Sequence, residues 1–296
     1  MAVMTEQATQ QPAPAEPKVA RGRRRLGDRL ADLGLLLYFA FSLIPMLFIV
    51  LLSLKSTAQQ TTTYLRFRPT LANFASVLGL GGGGSSYLHF LLATLICSVG
   101  AVLVSLVIGM PAAYAAARYR FRGSNDLMFT LLSFRFAPEL VVIIPLGVIY
   151  QQLGLYDTYV GLIWVLQLVT MPLVVWILRS FFADLPAELE QAALLDGYSR
   201  RQAFVKVVLP LAKPGIAASS LLAFIFAWNN FIFPFTLTSS QAQTVTVSTL
   251  GFLGGNHPQF NLVAAGAVMA ALPPLVIALF IQRYLVRGLS FGAVKG

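Results

Sequence analysis

The chain has 296 residues, of which 57% are hydrophobic and only 11% charged, less than half the ~25% charged share of ordinary soluble domains. Its formal net charge of +10 would suggest nucleic acid in a soluble protein, but here the basic residues flank apolar runs, where they mark topology. Membrane lipid is therefore the expected surrounding, and nucleic acid is not an expected partner. No Asp, Glu, Lys or Arg occurs between Arg68 and Arg118 or between Lys213 and Arg283, stretches with room for one and two spans of roughly 20 residues each.

In chain order, residues 1–30 read as a disordered basic tail, rich in Ala, Pro and Gln up to about Ala20 and followed by Arg21, Arg23, Arg24, Arg25 and Arg29. The next apolar run, Leu33–Leu54, has 22 residues. A signal-peptide core has roughly 7–15, so this run is a retained first span. A transmembrane domain over 31–290 then holds six expected spans: Leu33–Leu54, Leu88–Ala112, Leu127–Gln151, Thr158–Leu178, Gly215–Thr238 and Leu262–Gln282. Pro45, Pro138, Pro145, Pro172, Pro234, Pro273 and Pro274 fall inside them. They mean either helices kinked around a pathway or the ordinary proline usage of membrane helices. Residues 283–296 form a C-terminal tail. With the N-terminus inside, the cytoplasmic segments carry 17 basic residues and the opposite loops only 3, which predicts a multi-pass cell-membrane protein with both ends in the cytoplasm.

The outer loop Lys55–Tyr87 contains Gly81–Gly84 followed by Ser85 and Ser86, a linker composition. It lacks the Lys-Ser/Thr of a phosphate-binding loop, and no G-x-x-x-x-G-K-[ST] occurs anywhere. No ATP site and no cofactor are expected on this chain. The two histidines, His89 and His257, offer no metal site, and the single cysteine, Cys97, reads as a small core residue.

The loop Arg179–Lys213 carries the most information. Pro186 suits the first position of a helix, Glu188 and Glu190 fall in its first turns where the dipole favours negative charge, and Gly197 suits its C-terminal stop. Ser199 and Gln202 form a capping box for a second helix with an apolar stripe of Ala203, Phe204, Val207, Val208 and Leu211. The prediction is a helix–glycine turn–helix facing the cytoplasm. Ala192, Ala193 and Gly197 make its surface small, either to admit another protein or because alanine favours helices.

Two sites fall inside spans. Arg135 and Glu139 are four residues apart, placing them on one face of the third span as pathway or gate groups, or as a self-satisfied pair. Asn229 and Asn230 sit beside Trp228 and Phe231. They offer amides and an aromatic face to a sugar, or hydrogen bonds between helices.

The run Glu190-Gln-Ala-Ala-x-x-Asp-Gly197, with Leu209-Pro210 after it, resembles the EAA signature of permease subunits in binding-protein-dependent ABC importers. The run from Ala112 to Gly123, Asn73-Phe, Ile144-Pro-Leu and Trp228-Asn-Asn-Phe231 resemble the same family. The ending Gln282–Gly296, with Gly-Ala-Val-Lys-Gly, is similar to its maltose-type, carbohydrate-importing subgroup. The resemblance implies an all-α membrane protein of about six spans with a cytoplasmic coupling helix–turn–helix, the type I importer permease fold. It implies that Glu188, Glu190, Gln191, Ala192, Ala193, Asp196, Gly197, Leu209 and Pro210 couple to a separate ATPase subunit that holds ATP and Mg. It further implies a second permease, usually a different chain, an extracytoplasmic solute-binding protein, and a tail contact through Gly292 and Lys295. A pathway role would fall to Arg135, Glu139, Trp228, Asn229 and Asn230. One departure stands out: the family usually has Glu directly before the two alanines, and this chain has Gln191, with Glu190 one place earlier. A secondary transporter or a permease for a non-sugar solute are the rival readings. A membrane-embedded enzyme is disfavoured, because the spans hold a single acidic residue, Glu139.

Overall fold

The computed structural model describes residues 26–62, 66–80, 87–119, 121–136, 139–254 and 257–292. Residues 1–25 of the basic tail, the Gly81–Gly84 linker and Lys295 lie outside them; residues 26–30, expected in the tail, instead begin the first helix. The regular structure of the described residues is helical, without strands. The chain divides into two compact units, residues 1–47 and 48–296. The first holds most of α1 (Leu26–Ser53), a 28-residue helix with Pro45 inside, whose large apolar side chains, such as Leu36, Tyr38 and Phe41, are exposed. A helix apolar on every side is suited to lipid or to another membrane chain rather than to water.

The second unit begins with the short α2 (Ala72–Val77) and the long α3 (Tyr87–Arg118). The 32 residues of α3 extend roughly 48 Å, well beyond a hydrocarbon core of about 30 Å, so the helix projects past the apolar layer. The expected third span is two helices, α4 (Ser124–Phe136) and α5 (Glu139–Gln152), bent by 90° with Pro138 between them in sequence. The expected fourth span is α6 (Tyr159–Val165) followed by α7 (Gln167–Asp184), which runs six residues further than Leu178 and takes Arg179 into the helix. A charge does not end a helix; Leu185 does, being extended at φ −72°, ψ 132° before Pro186.

The hairpin follows as α8 (Ala187–Leu195), α9 (Arg200–Ala203), a π-helical turn Phe204–Val208 and α10 (Leu209–Leu211). The fifth span is α11 (Lys213–Trp228), set at 73° to the preceding helix, then α12 (Ile232–Leu237) beyond a break at Asn229–Phe231. The segment after α12 contains α13 (Val245–Ser248), and α14 (Phe260–Gly292) is the last helix among the described residues. Among the described residues four helices are long and apolar enough to cross a membrane, and the number is six if each of the two bent pairs counts as one span.

Three clusters hold the unit together. Val174, Val175, Leu178 and Phe182 of α7 meet Ala113 and Tyr114 of α3, Val208 of the π-helical turn, and Phe224 and Trp228 of α11. Ile143 and Tyr150 of α5 pack with Leu162, Val169, Phe233 and Leu237 around Cys97 and Ala101 of α3. Tyr87, Val77, Val245 and Ala265 close the end of α3 remote from the hairpin. Where α7 and α11 cross, a Cβ on Gly215 would lie 2.4 Å from the Phe181 ring, so only glycine permits the approach. Between α3 and α7 the contact is partly polar: Ser105 Oγ donates to Gln167 Oε1 at 2.7 Å and Gln167 Nε2 donates to the Ala101 carbonyl at 3.1 Å. Such bonds join membrane helices where no water competes for them.

Candidate functional site

The hairpin is built by its turn. Gly197 has φ +87°, a region where a side chain costs about 1 kcal/mol or more. Its N–H donates to Leu194 O at 3.1 Å and the Tyr198 N–H to Ala193 O at 3.0 Å, the paired bonds of a glycine-terminated helix. Pro186 is the residue before the helix, not its first residue, and α8 starts at Ala187. Ser199 Oγ accepts from the Gln202 N–H, and the Gln202 side chain accepts from the Ser199 N–H at 2.8 Å. The second helix is not continuously α-helical. Pro210 has no N–H to return to Lys206, and the Leu209 N–H reaches instead to Phe204 O, five residues back.

Helical periodicity sorts the hairpin residues into two faces. Glu188, Gln191, Ala192, Leu195 and Asp196 are exposed, at i, i+3, i+4, i+7 and i+8. Leu195 is 89% exposed, an unusual position for leucine. Gly197 and Pro210 are exposed and Leu209 is half-buried. Ala193 does not contribute to the small outer surface expected of it, being buried. Glu190 also turns inward and is 8% exposed. It accepts a hydrogen bond from the Tyr114 hydroxyl and lies 3.4 Å from Arg118 Nε.

Arg135 and Glu139 do not share a helical face, because the break in the third span separates them. Arg135 ends α4, its guanidinium 4.1 Å above the Phe226 ring. Glu139 opens α5, where the helix dipole favours a carboxylate, and accepts from Asn230 Nδ2 at 3.2 Å. No ion pair joins the two among the described residues. Both line a largely apolar cavity of about 300 Å³ with Val142, Leu146, Val169 and Phe233.

The expected mid-span residues sit at the break of the fifth span. Trp228 is buried, and its indole N–H donates to Ala270 O at 3.1 Å. That carbonyl lies four residues before Pro274, which has no N–H to satisfy it. The Asn230 carbonyl lies at the break, before the first turn of α12, and the Thr246 hydroxyl donates to it at 3.1 Å. Asn230 Oδ1 accepts from the Phe233 N–H at 3.2 Å. Asn230 and Trp228 are thus fully engaged with other helices and loops. Asn229 is exposed and bonds its own helix at Ile225 O, at 2.9 Å. Gly292 is the last residue of α14.

Sequence reasoning missed a third arrangement, at the end remote from the hairpin. Asp157 adopts φ +54° and collects the N–H groups of Ser239, Ser240, Gln241 and Ala242 at 3.0–3.2 Å, together with the hydroxyls of Ser239 and Ser240. Burial alone would raise its pKa. The Gln241, Ala242 and Ser239 N–H donors and the Ser239 hydroxyl outweigh that and hold the carboxyl well below the usual carboxylate range. Near it, His89 Nε2 and Gln241 O are 3.0 Å apart. At the base of the same end, Asn73 Nδ2 donates to Ser53 O and Lys55 O, both at 2.7 Å, and Asn261 Nδ2 donates to Asn73 Oδ1 at 2.8 Å. One sequence signal existed: Asp157 is the only acidic residue in any of the expected outer connections.

The sequence profile described as "Binding-protein-dependent transport system inner membrane component" matches residues 105–291. The chain is 36% identical over 267 residues to the trehalose transport system permease protein SugB of Mycobacterium tuberculosis, covering 88% of this chain and 95% of that one. It is 31% identical over 274 residues to the trehalose/maltose transport system permease protein MalG of Thermococcus litoralis, covering 90% and 96%. It is 32% identical over 257 residues to the melibiose/raffinose/stachyose import permease protein MelC of Bacillus subtilis, covering 86% and 91%. The fold is similar to a chain of a bacterial ABC transporter involved in import of the acidic polysaccharide alginate, with TM-score 0.71, 24% identity and coverage of 88% and 98%.

Proposed function

Because the chain belongs to the family of inner membrane components of binding-protein-dependent transport systems, we propose that it forms part of the membrane pathway of an ATP-driven importer for a sugar or related polyhydroxy solute. The solute is delivered by an extracytoplasmic binding protein. The energy comes from a separate ATPase subunit, with its ATP and Mg, seated on the exposed face of α8. A second permease chain completes the pathway. The N- and C-termini lie on the ATPase side, in the cytoplasm.

The observation that carries this reading is the shape of the hairpin. It is a short helix locked by a left-handed glycine, presenting Glu188, Gln191, Ala192, Leu195 and Asp196 outward. Small and apolar groups at its tip admit close approach of another protein. The polyhydroxy solute is supported by the trehalose, maltose and melibiose named for the relatives. Gln191 makes a neutral hydrogen bond to the ATPase where the family usually offers a carboxylate. Of the residues proposed for the pathway, Arg135, Glu139 and Asn229 have accessible side chains and supply the direct solute contacts. Trp228 and Asn230 shape the break that lets those contacts face the pathway.

The test is uptake of labelled trehalose and maltose in a host strain carrying or lacking this chain, with and without ATP depletion. ATP-dependent uptake that requires the chain is expected. Uptake that survives ATP depletion and follows an ion gradient would point to a secondary transporter instead.

A further inference from the structure

We infer that the hairpin drives the second span directly, through a clamp of Tyr114, Arg118 and Glu190 that ties α8 to the inner end of α3. This rests on the proposal that an ATPase sits on α8. The hairpin is covalently continuous with α7 and α11, and motion along the chain would reach those two helices first. Glu190 adds a third connection, to a residue 76 positions away in sequence.

Burying a carboxylate on the inward face of α8, beside Ala193, costs free energy unless it is paired. An apolar residue would fill the same space without that cost. Glu190 is compensated twice, by the Tyr114 hydroxyl on Oε1 and by Arg118 Nε 3.4 Å from Oε2. Arg118 Nε is buried and makes no hydrogen bond, so its contact with Glu190 is an ion pair at 3.4 Å.

The second helix of the hairpin holds the same end of α3. The Phe204 ring lies 4.6 Å from the Tyr114 ring, and Arg200 Nη1 donates to the Tyr119 hydroxyl at 3.1 Å. Phe182 of α7 closes the far side of Tyr114 at 5.8 Å. Both arms of the hairpin therefore hold the part of α3 that projects beyond the apolar layer. Along its length α3 carries Cys97 and Ala101 into the cluster with α5, α6 and α12. A displacement of α8 thus has a packed route to the two broken spans that does not pass through the hairpin's own flanking helices. Energetic coupling along such a route is established only by non-additive mutations.

The experiment uses the full chain, purified through a tag from its host membrane together with whatever it binds. Variants are Tyr114→Phe, Glu190→Gln and the double variant. Tyr114→Phe removes a single oxygen and keeps the ring packing, so it separates a lost clamp from a misfolded one. The readouts are co-purified ATPase subunit, its ATP hydrolysis, and trehalose uptake in cells. Expected are unchanged ATPase recovery and hydrolysis within about twofold, with uptake reduced about tenfold in each single variant, the scale of a lost hydrogen bond to a charged group. The double variant should fall no further. Unchanged uptake in both singles overturns the clamp. So does a double loss equal to the product of the singles, since the two residues would then act independently. Loss of the ATPase subunit in Glu190→Gln also overturns it, making Glu190 a docking residue. A wild-type chain that recovers no ATPase subunit overturns the docking proposal itself, and the clamp with it.

Discussion

Two carboxylates do opposite work at the two ends of the molecule. Glu190 is held by side chains, a tyrosine hydroxyl and an arginine, and it joins one helix to another. Asp157 is held mainly by backbone N–H groups, and it joins a short connection to the loop 239–242. A side-chain clamp depends on the identity of both partners and can be broken from either side. A backbone nest depends only on the acceptor, since any residue but proline supplies an N–H. The hairpin end therefore joins two specific elements through their side chains, and the opposite end holds a loop in shape whatever its side chains are.

Substitutions that remove one partner break this contrast most sharply. Glu190→Ala removes the partner of the half-buried Arg118 and the acceptor of the Tyr114 hydroxyl, a loss of about 2–3 kcal/mol. Thermal unfolding in detergent should show a lower Tm and uptake should fall at least tenfold. At the other end, Asp157→Asn removes the charge that several donors share, at about 1–3 kcal/mol. Ser239→Ala and Ser240→Ala, which keep the N–H groups, should cost well under that. Hydrogen exchange of residues 239–242 measures both. The pH dependence has a definite sign. The folded pKa of Asp157 is depressed, so its contribution is complete above the ordinary carboxylate pKa of about 4 and fades as pH falls through the folded value. Wild-type protection of the loop should decline toward pH 3, and Asp157→Asn should flatten that decline.

Smaller effects test the proline-orphaned carbonyl. Trp228→Phe loses the donor to Ala270 O and leaves space in the buried cluster where the larger indole packed, for about 2 kcal/mol in all, with uptake nearly unchanged if the indole only holds helices together. Smallest of all is Gly197→Asn. Asparagine tolerates φ near +87° better than other residues, so it should cost a few tenths of a kcal/mol. Gly197→Ala costs about 1 kcal/mol, and both are read from the melting temperature.

Most of the fold was legible in the sequence for simple reasons. Apolar runs free of charge can only be spans, and the Gly197 and Ser199–Gln202 signals act over a few residues, where local rules hold. The breaks were harder to place. Arg135 and Glu139 fit a helical spacing, but that inference assumes an unbroken helix, and the two fall on α4 and α5 instead. The site was less legible than the fold. That Glu190 faces inward depends on Tyr114 and Arg118, far away in sequence, and no local pattern reports which face of a short amphipathic helix a distant span will cover. The role of Trp228 depends on Pro274 leaving the Ala270 carbonyl open, and that of Asn230 on where the fifth span breaks. Pro274 was visible in the sequence, but the donor that answers it comes from another element.

The most direct test of the proposed drive is cysteine cross-linking along α8 in native membranes, with a reagent that joins cysteines to lysines within a few ångströms. Cysteines at Gln191 and Leu195, on the exposed face, should each cross-link to an ATPase subunit, while one at Ala193, on the buried face, should not. Equal cross-linking from Ala193, or none from Gln191 and Leu195, would contradict the seating of the ATPase on this helix.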